Sequence, residues 1–243
     1  MTAIDKCGLS ALLLENTSLR LVEPDIYSVF PDNEAANDYD TRFGNIYDRV
    51  ACSPIYNRLI WGYSVAIFAS MVREALMSSS RGNVLDLGCG SLAFTARTYI
   101  QYPDRPVVLV DQSLKMLKIA SSRLVKINGK IPDNMVFLQA DALRLPFREN
   151  SFHTVVSENL LHCLSDTNIL LKKLKNITAK GGRMYFTTLV KGNRLADRYL
   201  EALAKSGKLV SRDMTDHQAI FNQFGMSITC DVNGNMASIY HNA

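Results

Sequence analysis

The chain has 243 residues, of which 47% are hydrophobic and 21% charged, and its formal net charge is +4. These values are typical of a globular protein with one sizeable core, so they argue against a disordered chain. The charge excess is small and no long block of basic residues occurs, which argues against a nucleic-acid-binding tail.

The cysteines and the apolar segments limit the cellular setting. The five cysteines are scattered and form no C-x-x-C pair, so neither a disulfide framework nor a zinc site is predicted. The N-terminal segment lacks the basic start of a signal peptide, and the run LIWGYSVAIFASMV is too short and too polar to span a bilayer. We therefore expect a cytoplasmic protein without a metal and without membrane insertion.

The N-terminal part of the chain differs from the rest in charge and in pattern. Acidic residues outnumber basic ones over residues 1–50, and the remainder is correspondingly basic. We interpret residues 1–44 as an N-terminal arm, either attracted to the basic body or solvated. Residues 45–80 are aromatic-rich and mostly helical in pattern, so they are predicted to form a helical cover within a domain that spans residues 45–243.

The aromatic residues of this cover region allow two interpretations. They could form a wall around a cationic sulfonium or a flat acceptor, or they could be the core face of the cover helices. They are Tyr39, Tyr47, Tyr56, Trp61 and Tyr63.

From residue 83 onwards, short apolar runs alternate with stretches of helical periodicity. The runs NVLDLG, PVVLVD, MVFLQAD, FHTVVSEN and RMYFTTLV have the length and composition of strands. Two further short strands, joined by Asn233, Gly234 and Asn235, predict a C-terminal antiparallel hairpin. The expected fold is α/β: a Rossmann-like, doubly wound, mostly parallel sheet of seven strands that binds ligands at the carboxyl ends of its strands.

The segment VLDLGCGSLAFT places two glycines between a strand and a helix. Gly88 and Gly90 allow the backbone to pass close to a ligand, and the start of the helix offers N–H groups to an anion. Asp86, at the strand end, suits a ligand that also carries an ammonium group. The third glycine of the dinucleotide fingerprint is replaced by Ala93, so an amino-acid head group fits this loop better than a pyrophosphate does.

The next two strands also end on acidic residues. Asp111, followed by Gln112, ends the second strand, where a carboxylate can accept hydrogen bonds from both hydroxyls of a ribose. Asp141 can accept from the exocyclic amine of an adenine while the backbone N–H of Ala142 contacts a ring nitrogen. An amino-acid head, a ribose and an adenine are the parts of S-adenosylmethionine, which is therefore the predicted cofactor.

These motifs resemble the class I S-adenosylmethionine-dependent methyltransferases, in particular their ubiquinone/menaquinone-type, small-molecule branch. The resemblance rests on VLDLGCG, VVLVDQSLKML, LQADALRLPF, SFHTVVSENLLHCL and KGGRMYFTT, and it covers roughly residues 45–240. It implies that the strand-end residues named above contact the methionine end, the ribose and the adenine. The stretch IYDRVACSPIYNRL resembles the tyrosine-rich entrance helix that closes over the cofactor, which adds Tyr47 to the implied binding residues.

Leu92 departs from the pattern of this family, because its members usually have a further glycine at that position. A leucine narrows the loop, so we expect cofactor affinity or the methionine pose to differ from the family's. The ribose and adenine positions are intact.

Glu158, Asn159 and His162 follow the fourth strand, where the family has groups that face the sulfonium and the incoming acceptor. Glu158 is predicted to bind the cofactor and, together with His162, to take part in catalysis. The ordinary pKa of histidine suits a general base at neutral pH, so His162 is the candidate base. The alternative is a histidine that only packs the first turn of the next helix.

The predicted function is transfer of a methyl group from S-adenosylmethionine to an oxygen, nitrogen, carbon or sulfur atom of a small molecule, with S-adenosylhomocysteine as the product. Two alternatives keep the fold and the cofactor: a catalyst of substrate rearrangement without methyl transfer, and a non-catalytic binding subunit. The expected partner is the small-molecule acceptor, with a homodimer as one option and no nucleic acid.

Overall fold

A computed structural model describes residues 8–31, 53–78, 82–192 and 195–243. The strands are β1 (Arg20–Glu23), β2 (Ile26–Ser28), β3 (Val84–Leu87), β4 (Val107–Asp111), β5 (Met135–Gln139), β6 (Phe152–Glu158), β7 (Thr178–Leu189), β8 (Ile228–Asn233) and β9 (Met236–Asn242). The helices are α1 (Leu9–Leu12), α2 (Pro54–Tyr56), α3 (Ala66–Met77), α4 (Ala96–Ile100), α5 (Leu114–Asn128), α6 (Thr167–Ile177), α7 (Ala196–Lys205) and α8 (Met214–Gln223). A π-helical turn (Asn57–Trp61) continues α2, and the 3-10 turns Ala142–Arg144 and Leu161–Cys163 follow β5 and β6.

All of these strands belong to one sheet, ordered β1-β2-β5-β4-β3-β6-β7-β9-β8. The strands from β2 to β7 pair in parallel with their neighbours. The outer pairs β1–β2, β7–β9 and β9–β8 are antiparallel. The predicted doubly wound, mostly parallel sheet with a C-terminal hairpin is thus confirmed.

The prediction of seven strands was wrong, because the described part of the chain contributes nine. The additional strands β1 and β2 come from the segment interpreted as an N-terminal arm, and β2 pairs in parallel with β5. Ile26 is 1% exposed in this position. The two strands have four and three residues, split by a turn at Pro24, and are too short to show the alternation by which a strand is recognised.

Both faces of the sheet are covered because the inner strands are apolar on both sides. Leu85 of β3 belongs to a core cluster that includes residues of α6 and α8. The neighbouring Val84 belongs to a second cluster on the opposite face, with residues of α3, α4 and α5. This alternation along each strand decides which face receives the polar side chains at the strand ends.

The described part of the predicted cover, residues 53–78, is helical with a sharp bend. The Ser53 hydroxyl accepts a hydrogen bond from the Tyr56 N–H, and Pro54 takes the first helical position, where its missing N–H costs nothing. Within the described ranges no single helix is long and apolar enough to cross a membrane. Only the pair Pro54–Trp61 and Ala66–Met77, bent by 102°, has that length and composition.

The cover is fixed to the C-terminal part of the chain at two places. The Trp61 ring stacks on Tyr199 of α7 with 5.4 Å between ring centroids. The turn of the β8–β9 hairpin lies against the backbone of the same tryptophan, whose carbonyl accepts a hydrogen bond from the Asn235 N–H over 2.8 Å. A side chain at Gly234 would collide with this carbonyl, so the close approach requires glycine.

Candidate functional site

Three carboxyl side chains lie on the same face of the sheet at its carboxyl edge. Asp86 lies one residue before the end of β3, Asp111 and Glu158 are the last residues of β4 and β6, and β3 lies between these two strands. Each follows by two positions a residue of the second core cluster, and a period of two keeps side chains on one face. Those preceding residues are Val84, Leu109 and Val156.

The glycine loop adopts the conformation that its sequence predicts. Gly88 and Gly90 have φ angles of 76° and 54°, in the region that favours glycine. The N–H groups of Gly88 and Cys89 both donate to the Val110 carbonyl, over 2.8 and 3.0 Å. The loop is thereby held against β4, beside the carboxyl of Asp111.

The Asp86 carboxyl is buried and forms a hydrogen bond with Tyr99 of α4. Its side chain accepts a hydrogen bond of 2.7 Å from the Tyr99 hydroxyl. Burial raises the pKa of Asp86 to about 7; the Tyr99 hydrogen bond opposes this rise, and the nearby charge of Asp111 adds to it. A carboxyl in this state ionises readily when a positive charge is placed next to it.

Glu158 and Asn159 contribute buried oxygen atoms that lack a hydrogen-bond partner within the described ranges. They are Glu158 Oε1 and Asn159 Oδ1. Burial raises the pKa of Glu158 well above its ordinary value, and the charge of Asp86 raises it further. Asn159 has a φ of 55°, a strained backbone conformation of the kind that concentrates at functional sites.

S-adenosylmethionine fits this group of residues. Buried acceptor oxygens that lack a partner among the described residues, such as Glu158 Oε1, are costly unless a ligand supplies donors or positive charge. The ammonium and sulfonium groups of the cofactor are cationic, and the carboxyls of Asp86 and Glu158 lie at one strand edge to receive them. A negatively charged head group would instead meet like charge here.

The Asp111 carboxylate accepts two backbone hydrogen bonds that fix its position. Oδ2 accepts from the Gly90 N–H and Oδ1 from the Ser113 N–H, each over 2.9 Å. A carboxylate accepts hydrogen bonds from hydroxyl donors, which suits the contact with ribose hydroxyls that the resemblance implies. The adjacent Gln112 is exposed, and its carbonyl accepts from the Gln139 amide.

Asp141 caps the 3-10 turn that begins at Ala142. Oδ1 accepts from the Leu143 N–H over 2.9 Å, and Oδ2 lies 3.0 Å from Nε of Arg144. The Arg144 side chain is 80% exposed, so this ion pair contributes little to stability and can be rearranged by a ligand. The position next to β5 is the one expected for an adenine contact.

His162 lies in the 3-10 turn after β6 and is 6% exposed. Its Nδ1 accepts a hydrogen bond from the Leu189 N–H over 3.2 Å, so the proton of the neutral ring resides on Nε2. The Thr188 hydroxyl lies 3.2 Å from the same nitrogen. Burial, with smaller contributions from His217 and Arg212, lowers the pKa of His162 to about 4, so the ring is uncharged at neutral pH.

Leu92 occupies a left-handed backbone conformation, with a φ of 53°. The backbone therefore does at this position what the family's glycine would do, at a cost of about 1–2 kcal/mol for a residue with a side chain. The side chain is 2% exposed and belongs to the second core cluster. Its bulk is thus accommodated in the core.

The aromatic residues of the cover divide into three groups. Trp61 and Tyr63 are buried in a third cluster with residues of α3, β7 and α7, and Tyr56 packs against it. The Tyr63 hydroxyl donates to Asn57 Oδ1 over 2.5 Å. The predicted cofactor contact Tyr47, like Tyr39, lies outside the described residues.

Two open surface cavities occur away from these strand ends. One, of about 520 Å³, lies between α3 and Arg183. The other, of about 540 Å³, lies between the β1–β2 turn and α5. Neither cavity is lined by the glycine loop or by the three carboxyls. The candidate site residues lie together at the strand ends, away from both cavities.

Sequence reasoning missed two residues that position the site. Tyr99 has the spacing of an apolar core residue in a helix, and nothing in its pattern indicates a bond to Asp86. Arg212 directly precedes Asp213, a pattern typical of exposed charged residues, but its side chain is buried. Its guanidinium donates to the carbonyls of Leu161, Leu164 and Ser165 over 3.1 to 3.2 Å, and so holds the turn that carries His162.

Comparisons with known proteins identify the family. A family model described as a methyltransferase domain matches residues 78–235. The chain is 27% identical over 208 residues to the ubiquinone/menaquinone biosynthesis C-methyltransferase UbiE of Pseudomonas putida (strain GB-1), across 82% of this chain and 79% of that protein.

Solved structures show the same fold at low sequence identity. One is a chain of the complex between the Haloferax volcanii Trm112 methyltransferase activator and a methyltransferase, with a TM-score of 0.62, 15% identity and coverage of 86% of this chain and 99% of that one. Another is Haemonchus contortus phosphoethanolamine N-methyltransferase 2 in complex with phosphomonomethylethanolamine and S-adenosylhomocysteine, with a TM-score of 0.59, 19% identity and coverage of 79% and 46%. Because the family model spans more than half of the sequence, the chain belongs to the methyltransferase domain family and is a class I S-adenosylmethionine-dependent methyltransferase.

Proposed function

We propose that the carboxyls of Asp86 and Glu158 hold the positively charged end of S-adenosylmethionine and that the methyl group passes to a small molecule bound beneath the cover. The observation that carries this proposal is the buried Oε1 of Glu158, which lacks a hydrogen-bond partner within the described ranges and lies close enough to Asp86 for that charge to raise the pKa of Glu158. A cation suits these carboxyls best. It balances the negative charge of the carboxylates and lowers the pKa values that burial has raised.

The other strand ends hold the remainder of the cofactor in this proposal. Asp111, fixed by the N–H groups of Gly90 and Ser113, accepts from the ribose hydroxyls. Asp141 and the N–H of Ala142 receive the adenine. The chain therefore aligns the cofactor by contacts at both of its ends, which leaves the reacting methyl group between them.

The bound cofactor supplies an electrophilic methyl carbon: its bond to sulfur breaks as the bond to the acceptor atom forms, and the electron pair remains on sulfur. An acceptor that carries a proton must lose it in the same step or before. Glu158 is the better placed of the two predicted catalytic residues to take that proton, because its Oε1 lacks a hydrogen-bond partner within the described ranges and the bound cation favours its ionised form. We assign His162 a positioning role, since its Nδ1 is occupied by the Leu189 N–H.

The acceptor lies on the cover side of the site in this proposal. The third cluster combines Trp61, Tyr63 and Phe68 of the cover region with Leu189 at the end of β7. A site lined by these aromatic and aliphatic side chains suits a flat or apolar molecule. The relative named as a C-methyltransferase of ubiquinone and menaquinone biosynthesis supports carbon as the acceptor atom.

Incubation with methyl-labelled S-adenosylmethionine and a panel of phenols, quinols, amines and thiols tests the function. We expect labelled product and S-adenosylhomocysteine, both detected by mass spectrometry, with a quinol or phenol. Glu158→Gln should lower cofactor affinity at least about tenfold, as loss of a charged hydrogen-bond partner does. Lys180→Gln, an exposed change at the opposite edge, is the control. Unchanged affinity in Glu158→Gln would remove this residue from the cation site.

A further inference from the structure

Two helical segments, one within the cover and one in α7, present large apolar side chains to solvent. Ile55 and Leu59, four residues apart on α2 and its π-helical turn, are 72% and 76% exposed. Leu195 and Tyr199, four residues apart at the start of α7, are 87% and 43% exposed. Side chains at this spacing lie on the same face of a helix, so each pair forms a short apolar strip.

The two strips meet at one aromatic contact. Tyr199 stacks on Trp61 at an interplanar angle of 28°, and its hydroxyl lies 3.2 Å from the Tyr56 hydroxyl. Trp61 is 4% exposed and anchors this contact in the third cluster. The helices are therefore packed together, and Ile55, Leu59, Leu195 and Tyr199 form one surface, which we call the apolar patch.

Basic side chains accompany the apolar patch. Arg58 directly precedes Leu59 and Arg198 directly precedes Tyr199, so both strips follow the pattern apolar-x-x-Arg-apolar, and both arginines are exposed. Asp197 directs its carboxylate away, toward the Gly192 N–H and Asn235. In sequence, the segment around α7 carries Lys191, Arg194, Arg198, Lys205 and Lys208 against Asp197 and Glu201.

We propose that the apolar patch docks on the surface of a lipid bilayer that contains anionic lipids. Its aliphatic side chains enter the boundary between headgroups and acyl chains, while Arg58 and Arg198 bind lipid phosphates. A second copy of the chain fits less well. Three aliphatic side chains and half a tyrosine ring offer too little area for a stable dimer, which buries roughly 800 Å² per partner, and the arginines would face each other.

Docking through this surface brings the cover, and the cluster beneath it, next to the lipid. An acceptor dissolved in the bilayer could then reach the site without crossing water. The docking itself does not depend on the proposed function, because it rests only on the exposed side chains of α2 and α7.

Sedimentation of the full-length protein with vesicles tests the proposal. Phosphatidylcholine vesicles are compared with vesicles in which a third of the lipid is phosphatidylglycerol. We expect binding to the anionic vesicles that weakens in high salt. Burying one aliphatic side chain is worth about tenfold in partition, so Leu59→Ser combined with Leu195→Ser should lower vesicle binding at least about tenfold. Arg58→Gln with Arg198→Gln should reduce binding to the anionic vesicles only.

Ile169→Ser on α6 is the matched control, because this residue is 52% exposed and lies outside the patch. It should bind vesicles like the parent. Absence of sedimentation with anionic vesicles overturns the proposal, as does equal binding by the parent and the double serine variant. Light scattering that shows a dimer converted to monomer by the serine substitutions would assign the patch to self-association instead. Calorimetry with S-adenosylhomocysteine reports separately on the cofactor site.

Discussion

The Tyr99 hydroxyl donates a 2.7 Å hydrogen bond to Asp86, the buried carboxyl beneath the glycine loop. This bond opposes the effect of burial and favours the ionised carboxylate. Tyr99 in α4 therefore increases the ionised fraction of Asp86 in β3.

Tyr99→Phe should weaken cofactor binding without removing a ligand contact. Loss of the hydrogen bond raises the pKa of Asp86 further above about 7, so a smaller fraction is ionised at neutral pH. We expect affinity for S-adenosylhomocysteine at pH 7 to fall about three- to tenfold, and the loss to shrink toward pH 9. Titration calorimetry across this range measures both. Tyr102→Phe is the control, and a pH-independent loss in Tyr99→Phe would contradict the proposed cause.

Asp86 should also make the stability of the cofactor-free protein depend on pH. Its pKa is about 7 in the folded state, against an ordinary value of 3.8 for an aspartate in water, so the folded state holds the proton more tightly. Stability from this group is fully present below about pH 3.8 and is lost as pH rises toward 7.

In the parent, the unfolding free energy should therefore fall between pH 4 and pH 7. In Asp86→Asn this fall should be smaller by about 1–4 kcal/mol. Urea unfolding at several pH values provides the measurement. Parallel pH profiles for the two proteins would show that Asp86 does not titrate in this window.

His162→Ala should lower turnover at least about tenfold while leaving cofactor affinity unchanged. In a positioning role, the ring matters because Nδ1 accepts from the Leu189 N–H and so holds the turn after β6 against the end of β7. His162→Gln keeps an acceptor oxygen and should restore much of the rate. A general base would be worth roughly 10² to 10⁴ in rate and could not be replaced by an amide. Equal loss in both variants, with a changed pH profile, would restore the base assignment.

Leu92 allows a test of backbone strain. An alanine at this position keeps the left-handed conformation and loses the buried side chain beyond Cβ, whereas a glycine loses Cβ as well but relieves about 1–2 kcal/mol of strain. We expect Leu92→Gly to be at least as stable as Leu92→Ala by thermal unfolding. In helices the order is the reverse, and Ala120→Gly in α5, which also removes a buried methyl group, should be destabilising by at least about 1 kcal/mol as the comparison. A less stable Leu92→Gly would mean that the relief of strain is smaller than the cost of losing Cβ and of the greater freedom of glycine in the unfolded chain.

The sequence predicted the elements whose signals are local and repeated. The inner strands are apolar on both faces, and the acids that end β3 and β4 mark the carboxyl edge, so both the parallel sheet and the place of Asp86 and Asp111 follow from the pattern. The positive φ of Gly88 and Gly90 follows likewise from their residue type.

What the sequence did not predict depends on long-range packing. Tyr99 becomes a partner of Asp86 only when α4 folds back onto β3, and Arg212 reaches the turn after β6 from a segment about fifty residues later. The environment of His162 is set by the end of β7. No local pattern encodes such contacts, and for this reason the pKa of His162 was expected near its ordinary value.

The β1–β2 pair, finally, bears on how the protein avoids aggregation. Every residue of β5 except its last is buried, and the strand is almost entirely apolar. If β2 were absent, β5 would be the outermost strand on this side of the sheet. It would then present a row of unpaired backbone groups beside apolar side chains, which is a template for strand addition by another chain. β2 occupies that edge, and β1, with four residues and an irregular register, ends the sheet with a strand too short to extend. The N-terminal hairpin thus covers an apolar strand edge that would otherwise be open to strand addition.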